Sequence, residues 1–445
     1  MPLSITPSIA LMRPASRAQF FWSLESLRSK PAAFFTRAAR LDTIERSALF
    51  PFGPPSGDLA LSASPYDEIR SALDQQGAEA ALQRLSDEFR KEKKHYELFE
   101  SLKMLARLRL GLPLLYADAG EDLSEEKRDA LEDALIEICR EVGTLLLDEG
   151  RIREGWYYLR PVGDKEPVLR AIRDADFDEE DTLDDVIEVA LHEGIAPELG
   201  FGLLLEHHGT CNAITTYEQQ FAGLPPARQQ PLAAKLLKHL HDELSATLKA
   251  DIAHQEGSDP TEATLAEMIA PRDWLFSTGG YHIDASHLAA TVRFARVLDD
   301  PELLRLALDL TAYGERLDPQ LQYEQPVPFT STYPHNALFF QALLGENYDE
   351  ALKHFREKAE ASDIRREGSL AIETYISLLA RTGKASEALD AALRMIPEGV
   401  HTMGIAPTLV ELSNASGDYE KLAAFCQNRN DMLGFITSLL QAKSQ

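Results

Sequence analysis

The sequence predicts an all-α protein built from helix–turn–helix units. Apolar residues recur every three to four positions through most of the chain, as they do on the buried face of a helix. The alternating apolar and polar pattern of half-buried strands is almost absent. Glycines recur at similar intervals in the last third of the chain. Together these observations favour stacked helix pairs around an irregular helical centre.

The segment 131–150 shows the helical period clearly. Leu131, Leu135, Ile138 and Val142 are spaced three and four residues apart, which places them on one face of a helix. Gly150 follows at a position where helices commonly end. Residues 230–255 form another long stretch of the same kind and predict a second amphipathic helix.

Three segments of the last third share one form: GENYDEALKHF (345–355), GKASEALDAAL (383–393) and GDYEKLAAFC (417–426). Each opens with a glycine, continues with polar residues and reaches a residue expected at a helix crossing. An apolar helix precedes each glycine. The crossing residues are 37 and then 34 residues apart, namely Ala351, Ala388 and Leu422. This period predicts a stacked array, because one helix pair cannot bury its apolar stripe alone.

These segments resemble the tetratricopeptide repeat (TPR), in which a turn glycine precedes a helix with a small residue at its crossing. Ala351 and Ala388 match the small position, and Phe355 matches the aromatic residue four positions later. Leu422 is larger than the small residue of the family. The resemblance implies a helical solenoid whose groove binds a peptide or a protein.

Two N-terminal segments are similar to the same repeat. In the first, Gly150 matches the turn, Gly155 the small residue, Leu159 the apolar position and Pro167 the closing proline. In the second, QQGAEAALQRL (75–85), the turn glycine is the third residue. The resemblance thus spans roughly residues 66–170 and 333–440.

The first fifty residues differ from the rest of the chain in charge. Residues 1–50 carry seven Lys or Arg against three Asp or Glu and look somewhat like an organellar transit segment. The interpretation that we favour is a poorly ordered extension or an upstream translation start. The pattern along the whole chain predicts four regions. They are a basic N-terminal extension with its linker (1–62), N-terminal helical repeats (63–170), a central helical region with His-rich joints (171–332) and C-terminal TPR-like repeats (333–445).

Charge and cysteine content restrict the partners and the location. The formal net charge is −27, so nucleic acid and anionic membrane surfaces would be repelled. A peptide or protein partner, possibly a basic one, is compatible with this charge. No apolar run is long enough for a membrane span. The three cysteines cannot form a disulfide framework, which predicts the cytoplasm, and Cys139 and Cys426 are expected to be buried.

Polar side chains with useful chemistry concentrate at three joints of the central region. The first is GLLLEHHGTCNAITTYE (202–218), in which Gly209 would end one helix and Thr210 would cap the next. The others are STGGYHIDASH (277–287) and the end of an irregular segment, LDPQLQYEQPVPFTSTYPH (317–335). The candidate ligand-binding residues are His207, His208, Cys211, Asn212, Tyr281, His282, His287, Tyr333 and His335.

Several interpretations of these joints are compatible with the sequence. His207, His208, His282 and His287 are the weak candidates for a metal site, since neutral imidazole suits Zn²⁺ and iron. Cys211 beside a histidine has the composition of a nucleophile and its base. The plainer interpretation is that these residues cap helices or face solvent, and no cofactor is predicted.

The sequence therefore predicts first an acidic scaffold or adaptor that binds a peptide or protein partner. The alternative is an enzyme, or a protein that binds a small ligand or metal, with its site in the central region. The three joints form a site only if their side chains meet. The oligomeric state does not follow from the sequence.

Overall fold

The computed structural model describes residues 64–114, 123–177, 180–323, 328–397 and 399–444. This part of the chain is dominated by helices and contains no β-strand, so the all-α prediction is confirmed. None of its helices is both long enough and apolar enough to cross a membrane. The predicted N-terminal extension and linker, residues 1–62, lie outside the described residues.

The chain divides between Ala196 and Pro197 into two compact units. Residues 171–196 pack with the N-terminal helices, although the sequence pattern grouped them with the central region. The rest of that central region packs with the C-terminal helices.

The N-terminal unit is a succession of helices in which each from α1 to α5 contacts the next along the chain. Helices α6 and α7 both contact α5. A π-helical turn over Glu188–His192 follows α7. The helices are α1 Pro65–Gln76, α2 Ala78–Lys91, α3 His95–Arg109, α4 Glu125–Asp148, α5 Ile152–Leu159, α6 Glu166–Arg173 and α7 Glu180–Ile187.

Helix α4 provides much of the apolar core of this unit. The predicted stripe Leu131, Leu135, Ile138 and Val142 is buried along it. Gly150 has a left-handed backbone (φ +76°), a conformation that glycine adopts without a steric penalty. The chain therefore reverses after α4, and α5 packs back against it.

Helices α4 and α5 approach so closely that side chains are excluded where they cross. A Cβ atom added to Gly155 would lie 2.6 Å from Leu147 Cδ2 and 3.0 Å from the carbonyl oxygen of Gly143. A Cβ added to Gly143 would lie 2.6 Å from Leu159 Cγ. Gly155 thus occupies the position that the sequence pattern assigned to a small residue.

The C-terminal unit begins with helices joined by short π- and 3₁₀-helical turns and ends with helix hairpins. The first group comprises α8 Pro197–Leu203, α9 Gly209–Thr216, α10 Pro226–Glu256, α11 Leu265–Ile269, α12 Ala285–Phe294 and α13 Pro301–Arg316. The second comprises α14 Thr332–Leu343, α15 Tyr348–Ala361, α16 Ile364–Glu367, α17 Leu370–Arg381, α18 Ala385–Met395, α19 Leu409–Ser416, α20 Tyr419–Asn428 and α21 Met432–Lys443.

Helix α10, the second predicted amphipathic stretch, is the central helix of the C-terminal unit. Its buried face repeats every four residues through Leu236, Leu240, Leu244, Leu248 and Ile252. This stripe covers more than four turns. The helix contacts α8, α12 and α13, and α12 carries the candidate residue His287.

The last hairpins contain the turns and crossings that the repeat pattern predicts. Gly345, Gly383 and Gly417 all have positive φ angles, between +76° and +81°. Ala351 and Ala388 are fully buried in the helices that follow. A methyl group at each crossing lets the paired helices pack closely.

A buried carboxylate fixes the loop between α18 and α19. Glu373 of α17 is 1% exposed. Its Oε1 accepts a hydrogen bond from the amide of Met403 (2.6 Å), and its Oε2 accepts from the amides of Ile405 (2.7 Å) and Ala406 (3.3 Å). Hydrogen bonds of this kind compensate the carboxylate for the loss of water.

The crossing at Gly155 is tested by Gly155→Ala. Alanine is favoured over glycine inside a helix by about 1 kcal/mol, yet we expect a net loss of about 1–3 kcal/mol in the free energy of unfolding, because the added methyl group overpacks the crossing. Urea unfolding followed by circular dichroism measures the loss. Gly223→Ala is the control, since no heavy atom lies within 4 Å of that position. Equal stability of the Gly155 variant and the wild type would contradict this packing.

Candidate functional site

The first joint, residues 207–212, lies on the surface. His207, His208, Cys211 and Asn212 are all exposed. The Asn212 amide donates a 2.7 Å hydrogen bond to the carbonyl oxygen of His208. The chain changes direction at Gly209, where φ is +83°, so the predicted break is confirmed.

The predicted helix cap at Thr210 is wrong. Helix α9 begins at Gly209 and its N-cap position is His208, which makes no side-chain capping bond. Thr210 instead lies within the helix, and its Oγ1 is 3.2 Å from Nε2 of His239 on α10. The residue before α9 belongs to a π-helical turn, Leu204–His208. Such turns leave no standard N-cap geometry to recognise in a sequence.

The second joint is tied to helices α10 and α13 through His282. Its Nδ1 lies 3.0 Å from the hydroxyl of Tyr313, and its Nε2 lies 3.2 Å from Oδ2 of Asp251. The His282 amide also donates to the Tyr313 hydroxyl, at 2.8 Å. Both ring nitrogens are thus occupied, so a metal ion here would have to displace Asp251 or Tyr313.

Tyr281 and His282 line an open depression of about 770 Å³. Asp251 and Thr247 of α10 form one side of it, and Trp274 and Asp284 contribute to the other. The Tyr281 side chain is 60% exposed. This depression, which we call the α10 pocket, gathers carboxylates, an imidazole and aromatic rings at one place.

His287 has a local structural role. Helix α12 is capped by Asp284, whose Oδ1 accepts hydrogen bonds from the amides of Ser286 (2.8 Å) and His287 (3.1 Å). The bond from the Ser286 hydroxyl is the largest cause that lowers the pKa of Asp284, and the His287 amide and ring contribute. A charged Asp284 at the N-terminus of α12 stabilises that helix.

Tyr333 lies in the core. It belongs to the first turn of α14 rather than to an irregular segment, and it is fully buried. Its ring occupies the space beside Gly314, where a Cβ atom would lie 2.3 Å from Tyr333 Cε1. Burial raises the pKa of the Tyr333 hydroxyl. Tyr333 therefore packs beside the residue that follows Tyr313, and it is not available to a ligand.

His335 pairs with a second histidine. Its Nδ1 lies 2.9 Å from Nε2 of His354 on α15, and its ring is 5.1 Å from the ring of Phe329. Burial, followed by His354, Lys358 and Arg296, lowers the pKa of His335 to about 4. Burial also lowers the pKa of His354. Both imidazoles are therefore neutral at pH 7, one donating a hydrogen bond to the other.

The structure brings the second and third joints close but gives no common metal site. Tyr313 contacts His282, and Gly314 contacts Tyr333. Helix α9, which carries Cys211 and Asn212 of the first joint, contacts α12. None of the candidate residues of the first joint lines the α10 pocket. In the part of the chain that the structure describes, no group of three or more His, Cys, Asp or Glu side chains is arranged to hold a metal ion.

Both predictions of a buried cysteine are confirmed. Cys139 and Cys426 are buried, whereas Cys211 is exposed. Burial raises the pKa of the Cys139 thiol to about 12, so this thiol stays protonated and behaves as a small apolar side chain.

Sequence reasoning missed the partners that complete these joints. Asp251 and Tyr313 each lie 31 residues from His282, and His354 lies 19 residues from His335. Arg296, within reach of His335, was also missed. The helical period identifies which faces are buried, but it does not indicate which polar side chains meet across neighbouring helices.

The His282 bridge is tested by His282→Ala. The change leaves the buried Tyr313 hydroxyl without its side-chain partner, so we expect a loss of about 1–3 kcal/mol in the free energy of unfolding. His207→Ala, at an exposed position, should change it by less than about 0.5 kcal/mol. Chemical unfolding of both variants makes the comparison. Equal effects would mean that the bridge does not stabilise the fold.

The histidine pair makes stability dependent on pH. The pKa of His335 is about 4 in the folded chain, against an ordinary value of 6.5, so the unfolded chain binds more protons between these values. The contribution of the neutral His335 to the free energy of unfolding is complete above pH 6.5 and is lost as the pH falls towards 4. We expect His335→Gln to lose less thermal stability than the wild type between pH 7 and pH 5. His254→Gln, at an exposed position, is the control and should follow the wild type.

No protein-family model, curated protein or solved structure is significantly similar to this chain. The likeness to tetratricopeptide repeats therefore stays a prediction that rests on the residues of the turns and crossings. The function has to be argued from the chain's own surfaces.

Proposed function

We propose that the chain is a TPR-like helical-repeat scaffold that binds a peptide or protein partner in a groove of its N-terminal unit. The observation that carries this proposal is an open groove of about 660 Å³ between helices α3 and α4, which we call the α3–α4 groove. Its floor is apolar and consists of Leu102, Leu105, Ala106, Ala134, Ile138 and Leu145.

The rim of the groove is charged. Arg109 forms a 2.7 Å ion pair with Glu79, and Arg140 lies 3.5 Å from Glu137. Glu137 remains 71% exposed on its side chain, and Glu141 also lines the rim. An apolar floor with a polar rim is the usual composition of a protein-binding surface.

The occupant that fits best is an amphipathic segment with apolar anchors and basic flanks. Helix-in-groove recognition places side chains spaced three and four residues apart into an apolar floor. Basic flanks would approach a chain with a net charge of −27 favourably and would increase the rate of association. The few cysteines still predict the cytoplasm as the location.

A second candidate function is the binding of a small ligand in the α10 pocket. The specific observation that favours it is the grouping of Asp251, His282 and Asp284 around exposed aromatic surface. Because Asp251 and Tyr313 already bond the ring of His282, its first role is structural. We therefore place the peptide-binding function ahead of the small-ligand function and of an enzymatic one.

The groove proposal is tested with Thr144→Arg. Thr144 is exposed and lines the groove, so an arginine there fills the site without entering the core. A partner recovered with the wild type, purified and titrated by calorimetry, should bind this variant at least tenfold more weakly, a difference of about 1.4 kcal/mol.

The control for this test is Asp133→Arg. Asp133 lies on the same helix, is exposed and does not line the groove, although its substitution changes the net charge more. We expect it to leave binding nearly unchanged. If both variants weaken binding equally, charge and not the groove is responsible. If neither does, the groove is not the binding surface.

A further inference from the structure

Arg296 is a half-buried arginine without a carboxylate partner among the described residues. It belongs to the short 3₁₀ turn Ala295–Val297, which contacts α10, α13 and α14. Its Nε is buried and makes no hydrogen bond, while the side chain as a whole is only partly exposed. Burial, and secondarily Arg381, lowers the pKa of Arg296 to about 10, so the guanidinium is charged at pH 7.

Aromatic rings hold this guanidinium in place. Arg296 Cζ lies 5.6 Å from the ring centre of Phe329 and 5.2 Å from that of Phe339. Cation–π contacts of this kind stabilise an arginine. They fix the plane of the guanidinium but supply no hydrogen-bond acceptor.

A second arginine lies beside it but has its own partners. Arg381 Cζ is 5.5 Å from the ring centre of Phe339. Its guanidinium bonds Asp299 at 2.8 Å and the carbonyl oxygens of Arg296 and Leu298. Asp299 thus compensates Arg381, whereas no carboxylate of the described residues pairs with Arg296.

The side chains facing this place from α14 and α15 are basic as well. The positive charges of Lys358 and Arg296 oppose protonation of His335, and the charge of Lys358 opposes protonation of His354. The carboxylates that influence His354 are Glu350 and Glu357, both exposed on α15. In a chain of net charge −27, an arginine and a lysine beside two neutral imidazoles, with no carboxylate bonded to Arg296 among the described residues, are an exception to the composition.

A buried polar group of a charged side chain is unfavourable unless an opposite charge or hydrogen bonds compensate it. The described residues provide neither to the buried Nε of Arg296. We propose that Arg296, with His335, His354 and Lys358 around it, forms a binding site for a small oxyanion, the phosphate or carboxylate group of a low-molecular-weight ligand.

The chemistry of the site fits this class of ligand. The planar guanidinium offers parallel N–H donors that match two oxygens of a phosphate or carboxylate. Its Nε is the buried part, so the terminal amino groups are the donors that can reach a ligand. The neutral histidine pair and the Lys358 ammonium offer further donors on the neighbouring helices. This site is independent of the α3–α4 groove, which belongs to the other unit.

Inorganic phosphate is the probe that tests the site. Thermal unfolding of the full chain is measured in phosphate and in chloride at equal ionic strength. For the wild type we expect phosphate at about ten times its Kd to raise the Tm by about 3 °C over chloride. Arg296→Met should lose this rise, and its Tm in chloride should equal or exceed that of the wild type, since an apolar side chain replaces an uncompensated charge.

Arg293→Met is the matched control. Arg293 lies one turn earlier, is exposed and pairs with Glu218 at 2.8 Å, so its loss should leave the phosphate response unchanged. The proposal is overturned if the wild type responds equally to phosphate and chloride. It is also overturned if Arg296→Met keeps the full response, or if both arginine variants lose it alike.

A second measurement needs no variant and covers the case in which Arg296→Met fails to fold. The ring signals of His335 and His354 are followed by NMR during a phosphate titration of the wild type. We expect both to shift with one Kd while the exposed His254 stays unchanged. Shifts of all histidines together, or of none, would overturn the site.

Discussion

Three helix hairpins among the described residues have a close crossing at which one residue has little or no side chain. At Gly155, between α4 and α5, an added Cβ atom would lie 2.6 Å from Leu147 Cδ2, and Ala351 and Ala388 are fully buried in the C-terminal hairpins. Backbone proximity lets the flanking leucines and isoleucines interdigitate. The turn glycines with positive φ angles allow the chain reversals that such closely paired helices require.

The central helices are joined by hydrogen bonds between polar side chains and not by a close crossing. Asp251, His282 and Tyr313 form one chain of hydrogen bonds across α10, the second joint and α13. Close to it, Tyr333 fills the space beside Gly314. This region departs from the repeat pattern for a physical reason: polar bridges of fixed geometry replace interchangeable apolar contacts.

Much of the fold could be predicted from the sequence, and less of the site. The stripe from Leu131 to Val142 and the positive φ angles at the turn glycines follow from period and residue type. Thr210 was misassigned because the π-helical turn before it carries no distinctive residue. Arg296 went unnoticed because its distinguishing feature is the lack of a carboxylate partner among the described residues, and a sequence does not indicate which charges meet in space.

The buried carboxylate of Glu373 has a mechanical consequence. It holds three amides of a segment that has no helix of its own, Met403, Ile405 and Ala406, against helix α17. The connection between α18 and α19 is therefore fixed to helix α17 by hydrogen bonds to a buried carboxylate. These three bonds restrain the segment against hinge motion relative to α17.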